Sequence, residues 1–265
     1  MEVALVAFAF GFPPNHRWHC RGGGPLCTPT PGRGPATNRH DEDVLTQIYG
    51  LTTVADARDV DRLGPDHVGV VVDEGKDAWD SVDEVTAVAI AGAVENARVV
   101  ALSLSTEPER IRATTALLSP AVLHLARAHQ MRSETLARVR DQVAPSELML
   151  TVPVVGEETL VVASRLAMVA DYLLLDSSHP TTGVVGATGL THDWSVSARI
   201  ADQVACPVVL AGGLGPENVS EAIHRVRPDG VDSETRTSRD DDRRRKDLEK
   251  VEAFIWHARR AGVSY

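Results

Sequence analysis

Lysine is nearly absent from this chain, cysteine and aromatic residues are scarce, and no apolar run is long. The cysteines Cys20, Cys27 and Cys206 are too few for a disulfide framework, which points to a reducing, cytoplasmic setting; Cys20 with Cys27 is the one conceivable pair. The apolar stretch from Val3 to Phe10 has no basic segment before it and no small-residue cleavage site after it. It also falls far short of the ~20 residues that span a bilayer, so neither a targeting nor a membrane segment is expected. Only Lys76, Lys246 and Lys250 are lysines among 27 basic residues, and 37 acidic residues leave a formal net charge of -10. Such surplus carboxylate excludes a grip on a phosphate backbone, so no nucleic-acid partner is expected. No G-x-G-x-x-G follows the first apolar run, which argues against an open dinucleotide-binding sheet.

What is present is enough apolar residue, 43% of 265 and chiefly Leu, Val and Ala, for a layered core of strands and helices. Residues 1–43 hold six prolines, six glycines and no sustained hydrophobic period; they are expected to be a disordered extension, not a domain. His16, His19, Cys20 and Cys27 lie there at spacings that match no standard metal-ligand pattern. From residue 44 to residue 265, short apolar runs alternate with longer amphipathic stretches, the pattern of βα units. Eight strands are predicted, at 44–48, 67–72, 98–104, 121–125, 148–154, 171–176, 207–211 and 230–232. The predicted helices run near 53–64, 80–97, 107–118, 132–143, 157–169, 194–205, 216–226 and 246–262. Eight such units close a (β/α)8 barrel, for which a chain of this length suffices.

In a barrel of this kind the site lies at the C-terminal ends of the strands, and position alone nominates Tyr49, Asp73, Ser103, His124, Asp176, Gly212, Gly213 and Asp232. Gly212-Gly213 ends a strand and leads to a helix, a geometry that suits a phosphate; a tight turn with no ligand is the alternative. Asp176 follows three leucines, so partial burial would raise its pKa and make it a proton donor, unless it caps the loop behind it. The loop 177–193 is rich in small residues and long enough to cover a substrate. His124 is a candidate to hydrogen-bond substrate or to be satisfied within the structure. The mixed-charge stretch 239–246 is expected to be a solvated loop or helix start.

Several phrases resemble the phosphoribosylanthranilate isomerase family, in the same order, across residues 44–258. Gln47-Ile48-Tyr49-Gly50-Leu51-Thr52 resembles that family's K-I-C-G-I-T, and Gly186-Ala187-Thr188-Gly189-Leu190-Thr191-His192-Asp193-Trp194 resembles its G-G-T-G-K-T-F-D-W. Ala211-Gly212-Gly213-Leu214 with Pro216-Glu217-Asn218-Val219 is similar to A-G-G-L-x-P-E-N-V. The resemblance implies an Amadori rearrangement, aminoaldose phosphate to aminoketose phosphate, in tryptophan biosynthesis, with one acid and one base and no metal or organic cofactor. It implies Asp176 as general acid and places Tyr49 at the position of the base. It further implies Gly212, Gly213, Asp232, Thr235, His124 and Gly189 around a small phosphorylated sugar, in a monomer or homodimer.

The chain departs from the family at three places. The cysteine base is Tyr49 here, and a phenol with a pKa near ~10 is a poor base at neutrality. The S-P-R phrase that grips the anthranilate carboxylate has no counterpart in 73–78, where Lys76 offers a point charge without a guanidinium fork. The phosphate phrase V-D-V-S-S-G is Val231-Asp232-Ser233-Glu234-Thr235-Arg236, which brings in an acid. Three readings stay open on these grounds: an isomerase with an altered site, a diverged barrel enzyme on another sugar phosphate, and a non-catalytic ligand-binding barrel.

Overall fold

The computed structural model describes residues 44–72, 78–177 and 191–262. The 1–43 extension, Asp73, Lys76 and Gly189 lie outside the described residues. Along the chain run β1 (Leu45–Ile48), α1 (Val54–Arg62), β2 (His67–Val72), β3 (Ser81–Val82), α2 (Glu84–Ala91), β4 (Arg98–Ser103), α3 (Pro108–Leu118) and β5 (Val122–Leu125). They are followed by α4 (Ser133–Val143), β6 (Glu147–Val154), α5 (Thr159–Ala167), β7 (Tyr172–Ser177), α6 (Trp194–Gln203), β8 (Val208–Leu210), α7 (Val219–Val226), β9 (Gly230–Ser233) and α8 (Leu248–Gly262). No described helix is long and apolar enough to cross a membrane.

All named strands pair in parallel, and β1 meets both β9 (Leu45 beside Gly230) and β2 (Gln47 beside His67). That double pairing closes eight strands into the expected barrel, while the two-residue β3 lies against the far end of β2. Because strand side chains alternate, Leu123, Leu125, Leu173 and Leu175 face the helices. Tyr49, Val71, Val100, Val122, Met149, Leu174 and Val209 fill the barrel interior instead. Their neighbours in the same parity, His124 and Asp176, are thereby delivered to the mouth.

Two helices depart from expectation. The helix predicted over 80–97 is only α2, because Ser81 and Val82 are extended against Val71 and Val72. Asp83 then starts the helix by accepting the Thr86 N–H at 2.7 Å. At the far end the buried Asp61 carboxylate gathers the N–H groups of Glu95, Asn96 and Ala97 at 2.8–3.2 Å, an arrangement that a continuing helix would abolish. The helix predicted from 216 begins only at Val219, since the side chain of Asn218 is spent on the preceding turn.

At the opposite end of the barrel, three acids that directly precede strands do one job. Asp66 accepts from Thr46 N at 2.8 Å, Asp171 from Leu148 N at 2.9 Å and Asp229 from Val208 N at 2.8 Å. Each therefore ties the entry of its own strand to the strand before it in sequence. Asp171 is buried and also receives the Arg140 guanidinium. Replacing Asp171 with Ala strips Leu148 N and Arg140 of their acceptor, and urea denaturation should show a loss of about 1–3 kcal/mol.

Candidate active site

Seven strands and one loop build the mouth cavity, with Val71 supplied by β2. Tyr49 comes from the residue after β1, Leu102 from β4, His124 from β5, Thr151 from β6, Asp176 from β7 and Asp232 from β9; Asp80 precedes β3. Glu234, immediately after β9, lines the same cavity.

Tyr49 is buried, and its ring lies on Gly69 of β2. A methyl group there would stand 2.3 Å from the ring carbons, so only glycine allows the phenol to cross the barrel. The phenol oxygen lies 2.7 Å from His124 Nδ1, and His124 Nε2 lies 2.6 Å from Thr151 Oγ1. Burial lowers the imidazole pKa to about 3, so His124 is neutral at any working pH. With the phenol donating, Nδ1 accepts and Nε2–H donates to Thr151. The Tyr49 phenol is pushed well above its ordinary value by burial and by Asp232, Glu234 and Asp80. That shift runs opposite to the one a phenol base needs.

Asp176 is partly exposed at the end of β7, and desolvation lifts its pKa to about 6 although Ser177 N–H donates to it at 2.7 Å. Asp232 lies deeper. Its Oδ1 accepts from Gln47 Nε2 at 3.1 Å, and Gln47 Oε1 in turn lies 3.1 Å from His67 Nδ1. Burial lifts Asp232 to about 8, against the Gln47 bond and helped by the Asp176 charge. The mouth thus holds one carboxyl, Asp232, that keeps its proton at neutrality and one, Asp176, that is protonated in a minority of molecules there.

Gly212 and Gly213 form the turn after β8 with φ of 81° and 62°, a left-handed backbone that favours glycine. A methyl on Gly212 would meet Ser177 N at 2.9 Å and His192 Nδ1 at 3.0 Å. Asn218 Nδ2 donates to the Gly213 carbonyl at 3.0 Å and Asn218 Oδ1 accepts from Gly215 N at 2.9 Å. The turn is therefore shaped by its own bonds, with or without a ligand. Thr235 opens a 3-10 turn, Thr235–Thr237, and lines a neighbouring cleft with Pro216, Glu217, Arg236 and Lys250; it does not line the cavity of Tyr49 and Asp176.

Sequence reasoning missed three residues here. His192 packs beside Gly212, bonds Ser197 Oγ through Nε2 at 2.7 Å and has no partner for its buried Nδ1 among the described residues. Its only signal was its place in the 186–194 phrase. Asp80 was hidden inside a predicted helix. Lys246 ends the stretch expected to be a solvated loop or helix start, and for this residue the solvated reading is corrected. Asp241 to Arg244 are exposed, but Lys246 is buried, and its Nζ donates to the Glu234 carbonyl at 2.9 Å and Ser238 Oγ at 3.1 Å. Arg245 pairs with Asp56 through two bonds of 2.9 Å, which draws the end of the stretch onto the barrel.

A closed parallel barrel whose mouth carries proton-holding carboxyls beside a glycine turn defines a (β/α)8-barrel enzyme of the acid–base class. Residues 47–256 match the family described as N-(5'-phosphoribosyl)anthranilate (PRA) isomerase. The chain is 33% identical over 215 residues to the isomerase of Methanocella arvoryzae, covering 80% of this chain and 97% of that protein. It is 30% identical over 214 residues to isomerase 2 of Methanosarcina mazei, covering 80% and 93%. The crystal structure of the Thermotoga maritima isomerase superposes with a TM-score of 0.69 at 26% identity, covering 81% of this chain and 98% of that one. The chain belongs to the phosphoribosylanthranilate isomerase family, a family of aldose–ketose isomerases in tryptophan biosynthesis.

Asp232 supplies a test of this electrostatic picture. Its folded pKa of about 8 stands above the unfolded value of ~3.9, so folding favours the protonated form. That contribution is complete below pH ~4 and is lost as pH rises through about 8. Asp232→Asn, which cannot ionise, should melt higher than the unsubstituted protein at alkaline pH, with the difference shrinking towards pH ~4; a difference independent of pH would refute the assignment.

Proposed function

We propose that this chain carries out the Amadori rearrangement of N-(5'-phosphoribosyl)anthranilate with Asp176 as the general acid. The observation that carries the reading is a carboxyl lifted to about 6 at the end of β7, in one cavity with Asp232, His124 and Tyr49. A carboxyl of that pKa is protonated often enough at neutrality to protonate the ring oxygen as the ring opens. Gly212 and Gly213, with the backbone entering the turn at Thr235, are the groups proposed to receive the substrate phosphate, as backbone N–H groups at such turns do. Protonated Asp232 is a donor to a substrate hydroxyl, and neutral His124 holds Tyr49 in place. Tyr49 keeps its proton and serves as a hydrogen-bonding wall of the cavity, not as the base.

Consumption of phosphoribosylanthranilate can be followed by its fluorescence. Asp176→Asn should lower kcat by about 10²–10⁴-fold, the usual worth of a general acid. Tyr49→Phe should cost only about 2–10-fold, the net value of one hydrogen bond; a loss as large as that of Asp176→Asn would return the base role to the tyrosine. Absence of turnover by the unsubstituted protein would refute the isomerase reading and direct the search to other sugar phosphates.

A further inference from the structure

The reaction needs a base, and the mouth narrows the choice. The Tyr49 phenol is driven away from ionisation, and both nitrogens of His124 are engaged at a pKa of about 3. Asp232 lines the cavity, accepts from Gln47 and is lifted to about 8, which makes it a proton holder and donor at neutrality. Among the described residues, two further carboxyls line the cavity, Asp80 and Glu234.

We propose that Asp80 and Glu234 form a carboxyl pair that supplies the general base, with Glu234 the group that takes the proton from C2 of the substrate. The assignment rests on the isomerase reading and goes beyond it. Glu234 continues the inward parity of Asp232, and Tyr49 N–H donates to the Ser233 carbonyl at 3.0 Å, which fixes the end of β9 beside the end of β1. A methyl on Gly50 would stand 3.1 Å from Glu234 Cγ and Oε1. The carboxyl thus lies against the residue next to position 49, where the family resemblance places its base. Glu234 Oε1 is shielded from solvent and has no hydrogen-bond partner among the described residues. The carboxyl of Asp80 lines the same cavity and opposes ionisation of Glu234, as a like charge close by does.

The surroundings hold that pair in place. The Arg244 guanidinium grips the carbonyls of Trp79 and Ser81 on either side of Asp80, and the Arg243 guanidinium stacks on the Trp79 ring. Lys246 binds the Glu234 main chain and supplies the opposing charge. Glu234 is pushed well above the ordinary carboxylate range by burial, by Asp80 and by Asp232, while Lys246 pulls it down. Once ionised, a carboxylate so placed is a stronger proton acceptor than one in water, and because its pKa is raised that form gains population as pH rises, so the activity it supports should increase towards alkaline pH.

The proton ledger closes. Asp176 gives its proton to the ring oxygen as the bond from C1 to that oxygen breaks and the nitrogen lone pair forms the iminium. Glu234 takes the C2 proton, the C–H electrons become the C1–C2 double bond, and the iminium electrons return to nitrogen. Glu234 then delivers its proton to C1 as the enol oxygen gives its own to Asp176 and becomes the ketone. No oxidant or net proton is required.

The test uses the whole chain with phosphoribosylanthranilate. Glu234→Gln should lower kcat by at least about 10²-fold, and Glu234→Asp should recover part of it. Asp80→Asn removes the neighbouring charge, so the limb of the pH–rate profile governed by Glu234 should move to lower pH, a change that a purely structural role would not produce. If Glu234→Gln fails to fold, the Glu234→Asp and Asp80→Asn profiles decide. Turnover of Glu234→Gln within about tenfold of the unsubstituted protein, or an Asp80→Asn profile that does not move, overturns the base assignment while the isomerase reading stands. No turnover by the unsubstituted protein overturns both.

Discussion

The register with which β1 joins β2 on one side and β9 on the other governs the rest of the molecule. Pairing Gln47 with His67 and with Asp232 sets which parity of each strand faces inward, and a slip of one residue would turn every mouth side chain towards the helices. The Gln47 amide bridges the same three strands, through His67 and Asp232, so hydrogen bonding inside the barrel reinforces the register that backbone pairing selects. Gly69 is subject to the same constraint, since the inward parity of β2 must leave room for the Tyr49 ring.

Given that register, desolvation does most of the chemistry. Asp176 and Asp232 reach about 6 and about 8 chiefly through burial, and the same loss of water holds His124 neutral and Tyr49 protonated. The barrel therefore gathers titratable groups in one cavity and pushes their protonation states in directions that suit acid–base work. Lys246, drawn in from a highly charged stretch, is buried beside this group of acids and opposes their mutual repulsion.

Much of this was legible in the sequence because it follows from local pattern. Alternating apolar runs such as Val122-Leu123-His124-Leu125 mark both the strand and the residue it delivers, and Leu173-Leu174-Leu175-Asp176 does the same for the acid. Helix starts were harder. Pro216-Glu217-Asn218 has the composition of a first turn, yet Asn218 bonds back to Gly213 and Gly215, a choice that depends on where β8 ends. Ser81-Val82 became a strand because an edge of β2 was open to it, which no local propensity reports.

The sequence by itself determined the βα alternation, the barrel, the family and the presence of Asp176, His124, Asp232 and the glycine turn at the strand ends, because periodicity and short phrases act over a few residues. Only the tertiary structure decided that Tyr49 lies across Gly69, that Lys246 is buried, and that Asp80 and Glu234 share a cavity. The physical reason is distance along the chain. Asp80 and Glu234 approach each other only because closure brings β9 and β2 to either side of β1, and the pKa of a carboxyl is set by what lies around it in space.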